Sequence, residues 1–78
     1  MSPKSLRVAL GLEIKSLRSA RWSQEDFADH VGLHRTYLSK VERGIQNLTV
    51  VSLARIAAGL ELRPSELLRR AERFLENG

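Results

Sequence analysis

Five polar side chains carry the chemistry of this sequence. Arg35, Thr36, Ser39, Lys40 and Arg43 fall at i, i+1, i+4, i+5 and i+8, a spacing that places them on one face of a helix. Nothing around them suits catalysis. The chain has two histidines, His30 and His34, and no cysteine. Serine, histidine and acidic residues occur without forming a nucleophile–base set, and no glycine-rich loop is present to cradle a phosphate. No enzymatic activity is expected, and no cofactor or metal is implied. A cationic polar helix face instead fits recognition of a DNA groove. The fork of Arg35 matches the O6 and N7 acceptors of guanine, and Thr36 offers a hydroxyl together with a methyl for thymine. Ser39 and Lys40 are expected at base edges or phosphates. Tyr37 suits a phosphate, a thymine methyl or the edge of the core.

Caps and periodicity define the elements that must hold this face. Ser23 is a good N-cap, and Glu25 and Asp26 place negative charge at the positive end of the helix it opens. Phe27, Ala28 and Val31 give that helix one apolar face. Gly32 permits the left-handed turn that ends it. Gln24, in the first turn, is expected to bridge a phosphate beside the free amides. His30 lies near the negative end and is expected to be solvated. A second helix is expected from about Arg35 to Glu42, with Leu38 and Val41 facing inward. His34 either caps it, the simpler role, or bonds a phosphate. Two short helices joined by a glycine turn, the second polar and basic outside, form a helix-turn-helix arrangement.

The flanking chain reads as three further helices, so the fold class is all-α with five helices in a single domain over residues 1–78. The first is expected from Ser5 to about Ala20, with Leu6, Leu10, Ile14 and Leu17 as its buried stripe and Arg7, Lys15 and Arg18 elsewhere on the cylinder. Gly44 to Leu48 is a loop, in which Gly44 ends the second motif helix and Asn47 suits a turn. Thr49 caps the fourth helix, where Val50, Leu53, Ala54, Ile56, Ala57 and Leu60 make a wide apolar surface and Gly59 marks the stop. Pro64 opens the fifth, which runs to about Leu75. The remaining tails are Met1 to Lys4 and Asn77 to Gly78.

Seventy-eight residues are near the lower limit for folding unaided. With no disulfide available, a small core gains from a partner subunit. No apolar run approaches a membrane span and no export signal is evident, so the cytoplasm is expected. Net charge is +4 and the sequence pI is about 10.4, a basic excess that suits nucleic acid. Its distribution is uneven: Glu25, Asp26 and Asp29 make the first motif helix acidic, whereas Arg35, Lys40 and Arg43 outweigh Glu42 in the second.

The strings IKSLR, SQEDFA, GLHRTYLSKVERG, NLTVVSLARIAAGL and PSELL, in this order and spacing, resemble the phage-repressor-like helix-turn-helix family (Cro/cI, XRE type) over nearly the whole chain. The HRTYLSKVERG wording in so short a protein also resembles the controller proteins of restriction–modification systems. The resemblance implies a compact lambda-repressor-like fold and a transcriptional repressor or activator that binds double-stranded DNA. It implies a homodimer on a palindromic operator, with half-sites about one helical turn apart. It implies an ion pair between Arg18 and Glu42, and a grip on the DNA backbone by Arg43 and Asn47. Arg21 stands where the family often has a helix-ending glycine, and Trp22 where it has a smaller core anchor. Because four helices of the family already close a core, Leu67, Leu68, Ala71, Phe74 and Leu75 on the fifth are expected to form a dimer interface, the alternative being that the fifth helix packs back on its own domain. No small-molecule pocket is evident. The alternative is an antitoxin-like regulator that binds a protein partner as well as DNA.

Overall fold

The computed structural model describes residues 2–77, so Met1 and Gly78 of the expected tails lie outside the described residues. Five helices follow one another: α1 (Pro3–Ser19), α2 (Gln24–Val31), α3 (Arg35–Glu42), α4 (Val50–Gly59) and α5 (Pro64–Asn77). α1 starts two residues before the expected Ser5. Ser2 caps it by accepting from the Ser5 amide at 3.0 Å, and Pro3 opens the first turn, where a missing N–H costs nothing. α5 likewise extends past Leu75. At its start the Glu66 carboxylate reaches back to accept from the Arg63 amide at 3.1 Å, one half of a capping box.

Helix ends fix the path of the chain. Gly32 (φ 73°) and Gly44 (φ 75°) both close a helix in the left-handed conformation, as expected. The Leu33 amide donates to Ala28 O at 2.9 Å and the Ile45 amide to Lys40 O at 3.0 Å, the long-range bond of a Schellman motif. The other two ends differ from expectation. α1 ends right-handed, with Ala20 at φ −68° and ψ −23°, and the amides of Arg21 and Trp22 both return to Arg18 O. No left-handed residue is needed at Arg21. α4 is closed not by Gly59 but by Glu61, at φ 61°, with the Leu62 amide on Ala57 O at 2.9 Å. A side chain in that conformation costs about 1–2 kcal/mol. Gly59 serves contact instead: a Cβ there would strike Val31 and lie 3.1 Å from the Phe27 ring, so it lets α4 approach α2.

Phe27, Ile14, Leu38, Ile56 and Leu67 are fully buried at the centre. The buried face of α1 is shifted from the stripe the periodicity suggests, with Leu6 and Leu17 only half-buried and Ala9, Gly11 and Arg18 buried beside Leu10 and Ile14. α4 is also less apolar inward, since Val50 is 81% exposed and Ala54 is exposed. α5 follows the alternative expected for it over part of its apolar face. It packs against α1 of the same chain, and Leu67 and Ala71 are fully buried there. Two amphipathic helices that cover each other leave little over: of the five residues expected at a dimer interface, Phe74 is 47% exposed while Leu68 and Leu75 are half-buried. Among the described residues, no helix is long and apolar enough to cross a membrane.

Candidate nucleic-acid interface

α3 is amphipathic, with Leu38 and Val41 sealed into the core while Arg35, Thr36, Lys40 and Arg43 are exposed. Ser39 is half-buried, and its carbonyl accepts from Arg43 Nε at 3.4 Å. Arg35 lies 3.8 Å from Glu25 on α2, both side chains being more than three-fifths exposed. A pair so open to solvent is worth little and leaves the guanidinium free to exchange partners. Tyr37 is half-buried, and its hydroxyl accepts from the Thr49 amide at 3.4 Å, linking α3 to the start of α4. His34 occupies the N-cap position of α3 but makes no side-chain cap hydrogen bond, so the expected capping role is absent. Imidazole is a poor substitute for the short oxygen side chains that reach back to an N3 amide.

The base of the helix is fixed by α1. Arg18 grips Glu42 with both arms of its fork, Nε to Oε2 at 2.9 Å and Nη2 to Oε1 at 2.8 Å. Its third nitrogen donates to Trp22 O at 3.0 Å. Both charges are buried, which is tolerable only because their hydrogen-bonding capacity is so fully used. Gln24 Nε2 adds a bond to Glu42 Oε1 at 3.0 Å. Gln24 was expected to face a phosphate; its amide nitrogen instead turns inward to this carboxylate. Two turns before Arg18 on α1, Gly11 is buried against the end of α3, where a Cβ would strike Val41 O and lie 2.9 Å from Glu42 O. The helices cross backbone to backbone, and no other residue fits between them.

Two features escaped the sequence reading. Lys15 lines a groove with Arg18, Gln24, Ser39, Glu42 and Arg43, so a second exposed cation flanks the ion pair. Arg7 Nε donates to Gly44 O at 2.7 Å and its Nη1 to Asn47 Oδ1 at 3.0 Å. Arg7, Gly11, Ile14 and Arg18 stand at i, i+4, i+7 and i+11, a single line down α1. A search for apolar periodicity passes over it because three of the four are charged or lack a side chain. Trp22 packs against the core as expected, with its ring stacked on exposed His30 at 4.6 Å and its indole nitrogen buried without a partner.

Comparison with known proteins agrees with this arrangement. The profile described as Helix-turn-helix matches residues 14–67, from the second half of α1 to the start of α5. Control protein C.MunI from Mycoplasma sp is 39% identical over 70 residues, covering 87% of this chain and 95% of that protein. Control protein C.BamHI from Bacillus amyloliquefaciens is 33% identical over 66 residues, covering 82% of each. The crystal structure of the restriction-modification controller protein C.AhdI from Aeromonas hydrophila superposes with a TM-score of 0.73 at 39% identity, covering 77% of this chain and 92% of that one. These relatives are regulators rather than enzymes. With a basic exposed α3 locked onto α1 and matches across most of its length, this chain belongs to the helix-turn-helix family of DNA-binding transcription regulators.

Proposed function

We propose that the chain is a restriction–modification controller that binds double-stranded DNA as a homodimer on a roughly palindromic operator. The observation that carries this reading is the open outer face of α3, with Arg35, Thr36 and Lys40 exposed on a helix whose inner side is bolted down through Glu42. α3 enters the major groove, and side chains of its first turns meet the base edges. Arg35 takes guanine O6 and N7, Thr36 a thymine methyl or a hydrogen-bonding edge, and Ser39 and Lys40 the bases or phosphates beyond. Tyr37, tied to Thr49, sits at the edge of this surface. Arg43, Asn47 and His34 touch the backbone, and the free amides at the start of α2 do so in place of the inward-turned Gln24 side chain. Such contacts set register without reading sequence.

The similarity to named controller proteins supports the regulatory role. A single chain reads one half-site; two copies related by a two-fold axis read a palindrome. Of the apolar side chains on α5, Phe74 remains open to a second copy, with the half-buried Leu75 beside it. Selection of bound sequences from a random duplex pool tests the proposal. The expected product is a two-fold symmetric motif with half-site centres about one helical turn apart. Recovery of no motif, or of an asymmetric one, would contradict it.

A further inference from the structure

The contact between Arg7 and the loop after α3 does more than close the fold. We propose that Arg7 is a positioning residue that orients the Asn47 amide toward a DNA phosphate. The proposal rests on the reading of Asn47 as a backbone contact. Asn47 is exposed, in the loop that follows α3. Its side chain has one acceptor and two donors on a planar amide. Unrestrained, that amide presents oxygen or nitrogen outward with equal ease. A phosphate accepts and never donates, so only the nitrogen-outward orientation binds it, and the other sets a carbonyl against an anion.

Arg7 makes the choice. Guanidinium has donors only, and its Nη1 holds Asn47 Oδ1 at 3.0 Å. The oxygen is thereby turned toward the protein, and the Nδ2 hydrogens are left free for an acceptor outside. The same side chain is itself held in place, with Nε on Gly44 O at 2.7 Å and the backbone of Gly44 buried against α1, where even a Cβ would meet Val8 at 3.0 Å. The half-buried Arg7 therefore joins a rigid point of the loop to the one amide that must face a given way. A lysine has no planar fork to span two oxygens at fixed angles.

A double-mutant cycle with Arg7→Met and Asn47→Ala, read by anisotropy on a random-sequence duplex over a salt series, tests this. Phosphate contacts act on any sequence, so no operator is required. Each single variant is expected to weaken binding at least about tenfold, the worth of one hydrogen bond to a charged group, and the double variant no more than the weaker-binding single one. The slope of log affinity against log salt is expected to be unchanged, because Asn47 is neutral. Independent, multiplying losses would overturn the proposal, since Arg7 would then act apart from Asn47. A slope reduced by about 0.9 for each bound copy of Arg7, about 1.8 for a dimer, would also overturn it, since Arg7 would itself neutralise a phosphate. If Asn47→Ala binds as the unaltered protein does, the contact assigned to Asn47 is wrong while the DNA-binding reading stands. If the unaltered protein ignores DNA altogether, both fall. Should Arg7→Met fail to fold, Arg7→Lys completes the cycle, with a loss expected only when Asn47 is present.

Discussion

The two ends of α3 are built on opposite principles. At the carboxyl end, Glu42 sits in the fork of Arg18, Gly11 admits the last carbonyls against α1, and Gly44 reverses the chain under the hold of Arg7. At the amino end, His34 caps nothing, Arg35 shares only an open 3.8 Å pair with Glu25, and Thr36 faces solvent. Register in a groove is set by the whole helix and needs a stiff support. Base contacts need side chains that settle only when the partner is present, at about 0.5–1.5 kcal/mol for each long side chain immobilised. One helix serves both needs by assigning them to different ends.

The largest effects are therefore expected at the carboxyl end. Arg18→Ala strands the buried carboxylate of Glu42, which Gln24 alone does not neutralise, and is expected to cost about 3–5 kcal/mol of stability. Chemical denaturation measures it, and a loss under about 1 kcal/mol would mean that the end of α3 is held by packing rather than by the ion pair. Gly11→Ala is expected next, at about 1–3 kcal/mol from overpacking at the helix crossing. Because the added methyl pushes α3 away from α1, DNA affinity is expected to fall even at temperatures where the variant is fully folded. Undiminished affinity in a folded Gly11→Ala protein would show that the register of α3 does not depend on this crossing.

The same contrast explains what the sequence disclosed. Ser23, Gly32, Gly44 and Thr49 mark helix ends by local chemistry, and each does what its residue type predicts. The extent of the core was less legible, because periodicity shows which face is apolar and not what covers it. Leu67 and Ala71 formed a convincing stripe, yet α1 of the same chain buries them. Val50 continued another stripe and is left outside. The outer face of α3 was readable from residue types alone, since Leu38 and Val41 mark the inward side and Glu42 is the one charged residue that joins them. Its support was not, because Arg7 and Gly11 act through partners about thirty residues or more away in the chain, and nothing local signals such a contact.

At the amino end, substitutions are expected to separate binding from folding. Arg35→Ala removes an exposed side chain, so stability should change by no more than about 0.5 kcal/mol. Affinity for the selected operator is expected to fall by about 1–3 kcal/mol, with preference relaxed at one base pair. Equal losses on operator and random duplex would reassign Arg35 to the phosphates. Arg43→Ala, by comparison, is expected to weaken all duplexes alike.

The smallest effect bears most directly on why that end is left loose. His34→Ser supplies the N-cap oxygen that α3 lacks and is expected to raise stability by about 0.5–1 kcal/mol, a few degrees in the melting temperature of a chain this size. A protein under selection for folding alone gains from such a cap. Its absence is explained if the position serves the partner instead, since imidazole on an exposed cap residue can donate to a phosphate. His34→Ser is then expected to bind every duplex more weakly while melting higher, and the two signs must be opposite. If affinity is unchanged while stability rises, His34 makes no contact and the open end of α3 owes its looseness to drift rather than to recognition.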